Sequence, residues 1–159
     1  MKRQVKFAMY FVDRKRIEAT LQYLEANLDL FKETATWERR LEQLALERIA
    51  HGMIESIIDV GNAMIDGFIM RDPGSYEDII DILFDENVLN ETEAAQIKEV
   101  ISYRKELVRS YLSIDHAQLE QVIRKNCSAL EQFPTNIRRY LTEELGPVSA
   151  FLANESEGK

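Results

Sequence analysis

Residues 36–68 read TWERRLEQLALERIAHGMIESIIDVGNAMIDGF, and this stretch decides the fold. At about 100° of turn per residue, Arg48, His51, Glu55, Asp59, Asn62 and Asp66 fall within a strip of about 80°. The opposite side carries Leu46, Ile49, Met53, Ile57, Val60 and Met64, and Ile54, Ile58 and Ile65 flank it. The pattern is a long helix, apolar over most of its circumference with one narrow polar seam. Such a helix is buried. Its charged seam then faces a cleft, a partner or simply the solvent, because a buried charge must be paired. So wide an apolar circumference predicts a second copy of the chain as its cover, that is, a homodimer.

Shorter amphipathic helices surround this one. Asp13 is a plausible N-cap before Ile17, Leu21, Leu24, Leu28 and Phe31, which recur every three or four residues. Asp72-Pro73-Gly74 is a turn, and Ser75 with Asp78 forms a capping-box variant that opens a short helix. Asn90 with Glu93 opens another, expected to run to Leu112. Asp115 with Gln118 opens the next, which Pro134 is expected to kink or restart. Gly146-Pro147 is a stop signal. The expected fold is all-α: an up-and-down bundle of about five to six helices in one domain over residues 9–146. Residues 1–8 read as an N-terminal extension, with Met9 as a natural start, and 147–159 as a C-terminal tail.

Composition agrees. The 159 residues hold 45% apolar and 30% charged residues, with only 6 Gly and 3 Pro, too few turn formers for a many-stranded β-fold. The single cysteine, Cys127, excludes an internal disulfide. No stretch approaches the roughly 20 apolar residues of a membrane span, and the basic N-terminus runs into Asp13-Arg14-Lys15-Arg16 rather than an apolar signal core. The expected location is cytoplasmic, with no membrane partner. A net charge of −8 argues against broad nucleic-acid binding, which needs surplus cations to displace counterions. A local basic cleft stays open: more than half of the Lys and Arg lie in residues 2–6, 14–16, 39–48 and 104–109.

No Cys/His cluster, helical histidine pair or glycine-rich phosphate loop is present. His51 and His116 are the only histidines. Glu55, Asp59 and Asp66 on the seam could hold a divalent ion, but helical carboxylates are usually solvated, and neither a metal nor a cofactor is expected. The stretch Ile101-Ser102-Tyr103-Arg104-Lys105-Glu106-Leu107-Val108-Arg109-Ser110-Tyr111 carries the most chemistry. Taken alone, Arg104, Lys105 and Arg109 are either a solvated basic turn or a phosphate-binding patch.

In this stretch the chain resembles the HepT-like branch of HEPN domains, which carry Arg-Asn, an apolar pair, then His, one residue, and Tyr near a helix start. The turn at Asp72-Pro73-Gly74-Ser75-Tyr76, the Asp81-Ile82-Leu83 helix, the Ile97-to-Tyr103 run and the Asp59 and Asn62 of the long helix are similar to that family too. The resemblance covers roughly residues 9–146. It implies a homodimer whose motif segments line a cleft, metal-independent cleavage of RNA by a ribose 2′-hydroxyl, and restraint by a nucleotidyltransferase-type antitoxin. Arg104 matches the arginine that binds the scissile phosphate, and Tyr111 the tyrosine that such an antitoxin can adenylylate. Glu55, Asp59 and Asn62, with Lys105, are the expected cleft residues.

Two positions depart from the motif. Arg109 stands at the histidine position and Lys105 at the asparagine position. Attack by the 2′-hydroxyl wants a proton acceptor that titrates near neutrality, which imidazole supplies. A guanidinium stays protonated, so Arg109 can hold phosphate or stabilise developing charge but cannot be the base. His116 lies seven residues further on, about 10 Å along a helix. The expectation is a toxin component with weak or no ribonuclease activity; the alternative is a non-catalytic dimer that binds nucleotide, RNA or protein. On an ideal helix Arg109 sits about 140° from Arg104, so their convergence requires a helix end at the motif.

Overall fold

The computed structural model describes residues 12–146; the extension expected at 1–8 and the tail expected at 147–159 lie outside them. The described residues form seven α-helices and no strand: α1 (Arg14–Glu33), α2 (Arg40–Gly67), α3 (Tyr76–Asp85), α4 (Glu91–Ile101), α5 (Arg104–Arg109), α6 (His116–Lys125) and α7 (Cys127–Leu145). No helix among them is long and apolar enough to cross a membrane.

Local sequence sets the helix starts. Asp13 accepts from Arg16 N at 3.0 Å, Ser75 Oγ from Asp78 N at 3.0 Å, and Asp115 from Gln118 N at 3.0 Å. Asn90 and Glu93 complete a reciprocal box at 2.8 and 3.0 Å. Each such cap supplies an acceptor to an N–H that has none within the helix.

The helix α2 is the axis of the molecule. Leu46, Met53, Ile54, Ile57 and Met64 are fully buried, and the flanking Ile58 and Ile65 are only 4% and 2% exposed. Each such aliphatic side chain contributes about 1.5–3 kcal/mol by leaving water. The apolar stripe of α1 covers one side, with Leu21, Leu24 and Phe31 fully buried. On another, α3 comes close because Gly61 has no side chain: a Cβ there would run into Ile79. From Leu46 to Ile65 the single chain therefore buries the apolar circumference of α2 itself, so those residues do not call for a second copy; Leu41 and Leu44 at the start of the helix are 80% and 45% exposed. Beyond Leu46 the seam faces outward, with Arg48, Asp59, Asn62 and Asp66 exposed and His51 and Glu55 half-buried.

Two helices expected to be continuous are broken. The helix expected to run to Leu112 stops at Ile101, where Ser102 Oγ donates to Glu99 O at 2.6 Å and Tyr103 N reaches back only to Val100 O at 3.1 Å. Such local bonds compete with helix continuation. Further on the break falls at Asn126, not at Pro134, which lies inside α7. Asn126 is 1% exposed; its amide donates to Val122 O at 2.9 Å and to Glu99 on α4 at 2.7 Å. The helices α1 and α7 are clasped by Arg138, which donates to Glu18 at 2.9 and 2.8 Å and to Glu25 at 2.9 and 2.8 Å.

Candidate functional site

The break after Ile101 places Arg104 at the first turn of α5, a helix that buries none of its residues. That is the helix end the motif requires. From it, Arg104 Nε donates to Glu55 Oε1 on the seam of α2 at 2.6 Å. Its guanidinium carbon lies 4.5 Å from the centre of the Tyr76 ring, within cation–π range. The Glu55 hydrogen bond raises the pKa of this guanidinium above its ordinary value, against a smaller opposing effect of burial. Only Nε is engaged, so the two terminal nitrogens of the fork have no partner among the described residues.

Tyr76 is itself positioned by its turn. Arg71 donates to both oxygens of Asp78 at 2.8 Å, and Asp78 also accepts from Gly74 N at 2.8 Å. These bonds, led by that with Arg71, hold the Asp78 carboxyl at about 2, below its ordinary range. The clasp fixes the first residue of α3, and with it the ring under Arg104.

A surface hollow of about 310 Å³ opens beside this ring, lined among others by Tyr76, Arg104, Lys105, Val108 and Arg109. Arg104 and Arg109 thus reach one hollow despite their angular separation on an ideal helix. Of the other expected site residues, Glu55 anchors Arg104, and Asp59 lines a second hollow on the far side of Glu55. Asn62 is exposed further along the seam with no contact to Arg104. Tyr111 is 62% exposed beyond the end of α5 and lines neither hollow.

Sequence reasoning placed His51 on the seam without assigning it to the site. Its Nε2 lies 3.4 Å from Glu55 Oε1, the oxygen that also accepts from Arg104. The signal was there in the spacing: His51 and Glu55 are one helical turn apart. His116 goes elsewhere, with Nε2 2.7 Å from Glu47 Oε2. No group of three or more metal-ligating side chains occurs among the described residues. The site can hold an anion by guanidinium and ammonium groups beside an aromatic ring, with one imidazole close to the anchoring carboxylate.

The described residues thus form an all-α bundle with an arginine at a short helix start, turned onto the polar seam of its longest helix. The family model described as "Ribonuclease HepT-like" matches residues 14–137, and the chain belongs to the HepT-like family. It is 54% identical over 143 residues to the Bacillus subtilis (strain 168) protein named "Putative RNase YutE", covering 90% of this chain and 99% of that protein. The solved structure of YutE from Bacillus subtilis, described as a cytosolic protein of unknown function, has a TM-score of 0.87 at 54% identity, over 89% of this chain and 99% of that one. A crystal structure described as a toxin–antitoxin with AMP-PNP has a TM-score of 0.67 at 16% identity, over 78% of this chain and 96% of that chain. This last likeness is one of fold.

Proposed function

We propose that the protein is the toxin-type component of a HepT-like module, which engages RNA phosphate through Arg104 and is restrained by a nucleotidyltransferase-type antitoxin. One observation carries the reading. The Arg104 side chain is oriented by Glu55 and Tyr76 with both terminal nitrogens unengaged, a fork suited to a phosphate. Lys105 and Arg109 line the same hollow. A likeness of fold to the chain from a toxin–antitoxin structure supports a partner protein, and Tyr111, 62% exposed, is accessible to a modifying enzyme.

The homodimer belongs to the same proposal on a new footing. With α2 covered within the chain from Leu46 onward, the surface proposed for a second copy is the motif segment. Val108, Tyr111 and Leu112 are 41%, 62% and 91% exposed, adjoining the Arg104 hollow.

Turnover is expected to be weak. Cleavage would transfer the 2′-hydroxyl proton to a base as that oxygen attacks phosphorus and the 5′-oxygen leaves. Arg109 cannot accept the proton. His51, held at the carboxylate that anchors Arg104, is the imidazole at hand for it. The test is incubation of purified protein with total RNA, with Arg104→Ala as control. Slow metal-independent cleavage, lost in the variant, is expected; robust cleavage that survives Arg104→Ala would overturn the assignment. A non-catalytic binding module is the second reading, favoured by the guanidinium at position 109. Salt-dependent RNA binding with no turnover at any concentration would select it.

A further inference from the structure

We propose that the Arg104 hollow is one half of a longer track for single-stranded RNA, whose other half is the hollow of about 400 Å³ between α1 and α2. The claim, which rests on the RNA reading above, comes from an audit of the cations. In a chain of net charge −8, acids are plentiful enough to neutralise bases, and most bases are indeed engaged. Lys32, Arg71, Lys98, Arg124, Lys125, Arg138 and Arg139, for example, are all paired with carboxylates. Among the described residues only the Lys15, Arg16, Arg48, Lys105 and Arg109 side chains, of all the lysines and arginines, have no hydrogen-bond or ion-pair partner. Four of these five line the two hollows: Arg16 and Arg48 the one, Lys105 and Arg109 the other. Cations scattered for solubility would not concentrate so.

Each hollow also has its own aromatic ring. Tyr76 lines one and Tyr23 the other, and each is 44% exposed. Tyr23 lies against the bare backbone of Gly52, where a Cβ would come within 2.7 Å of its hydroxyl oxygen. Gly52 thus lets the ring settle onto α2. Unpaired bases stack on such rings while cations follow the backbone, the recurrent chemistry of single-strand binding. Glu55 links the two hollows: it lines the second and anchors the arginine of the first. Its charge is answered by Arg104, so the junction is not a barrier to a polyanion. Asp59 is the unpaired carboxylate of the second hollow and marks the edge of the track.

The experiment is fluorescence anisotropy with single-stranded oligoribonucleotides of about 4 and about 12 nucleotides, lengths set by the usual range of single-strand sites. The Arg16→Ala/Arg48→Ala double variant is expected to bind the longer strand about tenfold more weakly, with a much smaller loss on the shorter one. Its log–log salt slope should fall by about 1.4, roughly 0.7 for each phosphate contact removed. Tyr23→Leu should weaken binding of the longer strand, and Tyr23→Phe should restore it. Asp59→Asn should tighten binding, and thermal unfolding checks that each variant is folded. If the wild type binds the longer strand, Arg104→Ala weakens it and the double variant binds as wild type, the track is refuted and the RNA reading stands. Wild type that binds neither strand would refute both. Equal affinity for a duplex of the same length would overturn the role given to the rings.

Discussion

Arg138 and Arg104 are both half-buried arginines that reach from one helix to a carboxylate on another, and they are built for opposite ends. Arg138 is saturated: four hydrogen bonds to Glu18 and Glu25 occupy every nitrogen of its fork and push its pKa well up from the ordinary value, the Glu25 and Glu18 bonds outweighing burial. Arg104 is held by Nε alone and by a ring. The first arrangement joins α1 to α7 and leaves a single N–H over. The second fixes the side chain's direction while leaving the donors that a phosphate would take. What separates the structural Arg138 from Arg104, the arginine proposed to take a ligand, is how many of its five N–H groups the fold has already used.

The contrast extends to Arg109, which has the donors but not the proton chemistry of the residue it replaces. Arg109→His puts an imidazole at the motif position. It is expected to raise RNA cleavage by about 10²-fold or more, the usual scale of general acid–base catalysis, measured as initial rates on a defined oligoribonucleotide without divalent ions. No gain in a folded variant would show that position 109 is not the deficient one. Adding Arg104→Ala to that variant should abolish the gain. Alone, Arg104→Ala is expected to weaken RNA binding by about tenfold or more, since a hydrogen bond to a charged group contributes about 1.5–3 kcal/mol. Its thermal midpoint should stay close to that of the wild type, because only one part-exposed ion pair is lost.

Arg138→Ala should do the reverse. Removing the guanidinium leaves Glu18 and Glu25, two turns apart on α1, without their shared partner on α7. Discounted for an Arg138 side chain that is 35% exposed, the loss is expected to be about 1–2 kcal/mol, read as a drop in thermal midpoint of roughly 2–8 °C. RNA affinity should not change. If it falls as far as in Arg104→Ala, the division between the two arginines is wrong.

How much of this was legible in the sequence depends on the range over which each feature is decided. The seam on α2 followed from helical arithmetic, and the caps at Asp13, Ser75, Asn90 and Asp115 are bonds within four residues. The Arg104–Glu55 bond joins positions 49 apart, and no periodicity says which face of the bundle α5 will meet. The break at Asn126 was hidden for the same reason, since it is secured by Glu99 on another helix. Pro134 is the stronger local signal, yet the helix continues through it. The apolar circumference of α2 was legible, but its cover beyond Leu46 was not, because the close approach of α3 depends on the bare Gly61. Family resemblance supplied the Arg104 motif, whereas nothing local pointed to the hollow between α1 and α2.

The smallest expected effect concerns the clasp that sets Tyr76 beneath Arg104. Asp78 is held at about 2 by its bonds to Arg71 and to Gly74 N, below the ordinary aspartate value of about 3.9. A carboxyl depressed in the folded state binds its proton more readily when unfolded. Its contribution to stability is therefore complete above the unfolded value and is lost as the pH falls from about 4 towards about 2. Asp78→Asn should be less stable than wild type at neutral pH, and the difference should narrow over that acid window in urea titrations followed by circular dichroism. A constant difference from neutral pH down to about 2 would mean that the charge of Asp78 is not what the turn relies on. In that case the position of Tyr76, and the direction it gives Arg104, would rest on the Ser75 cap and the packing of α3 alone.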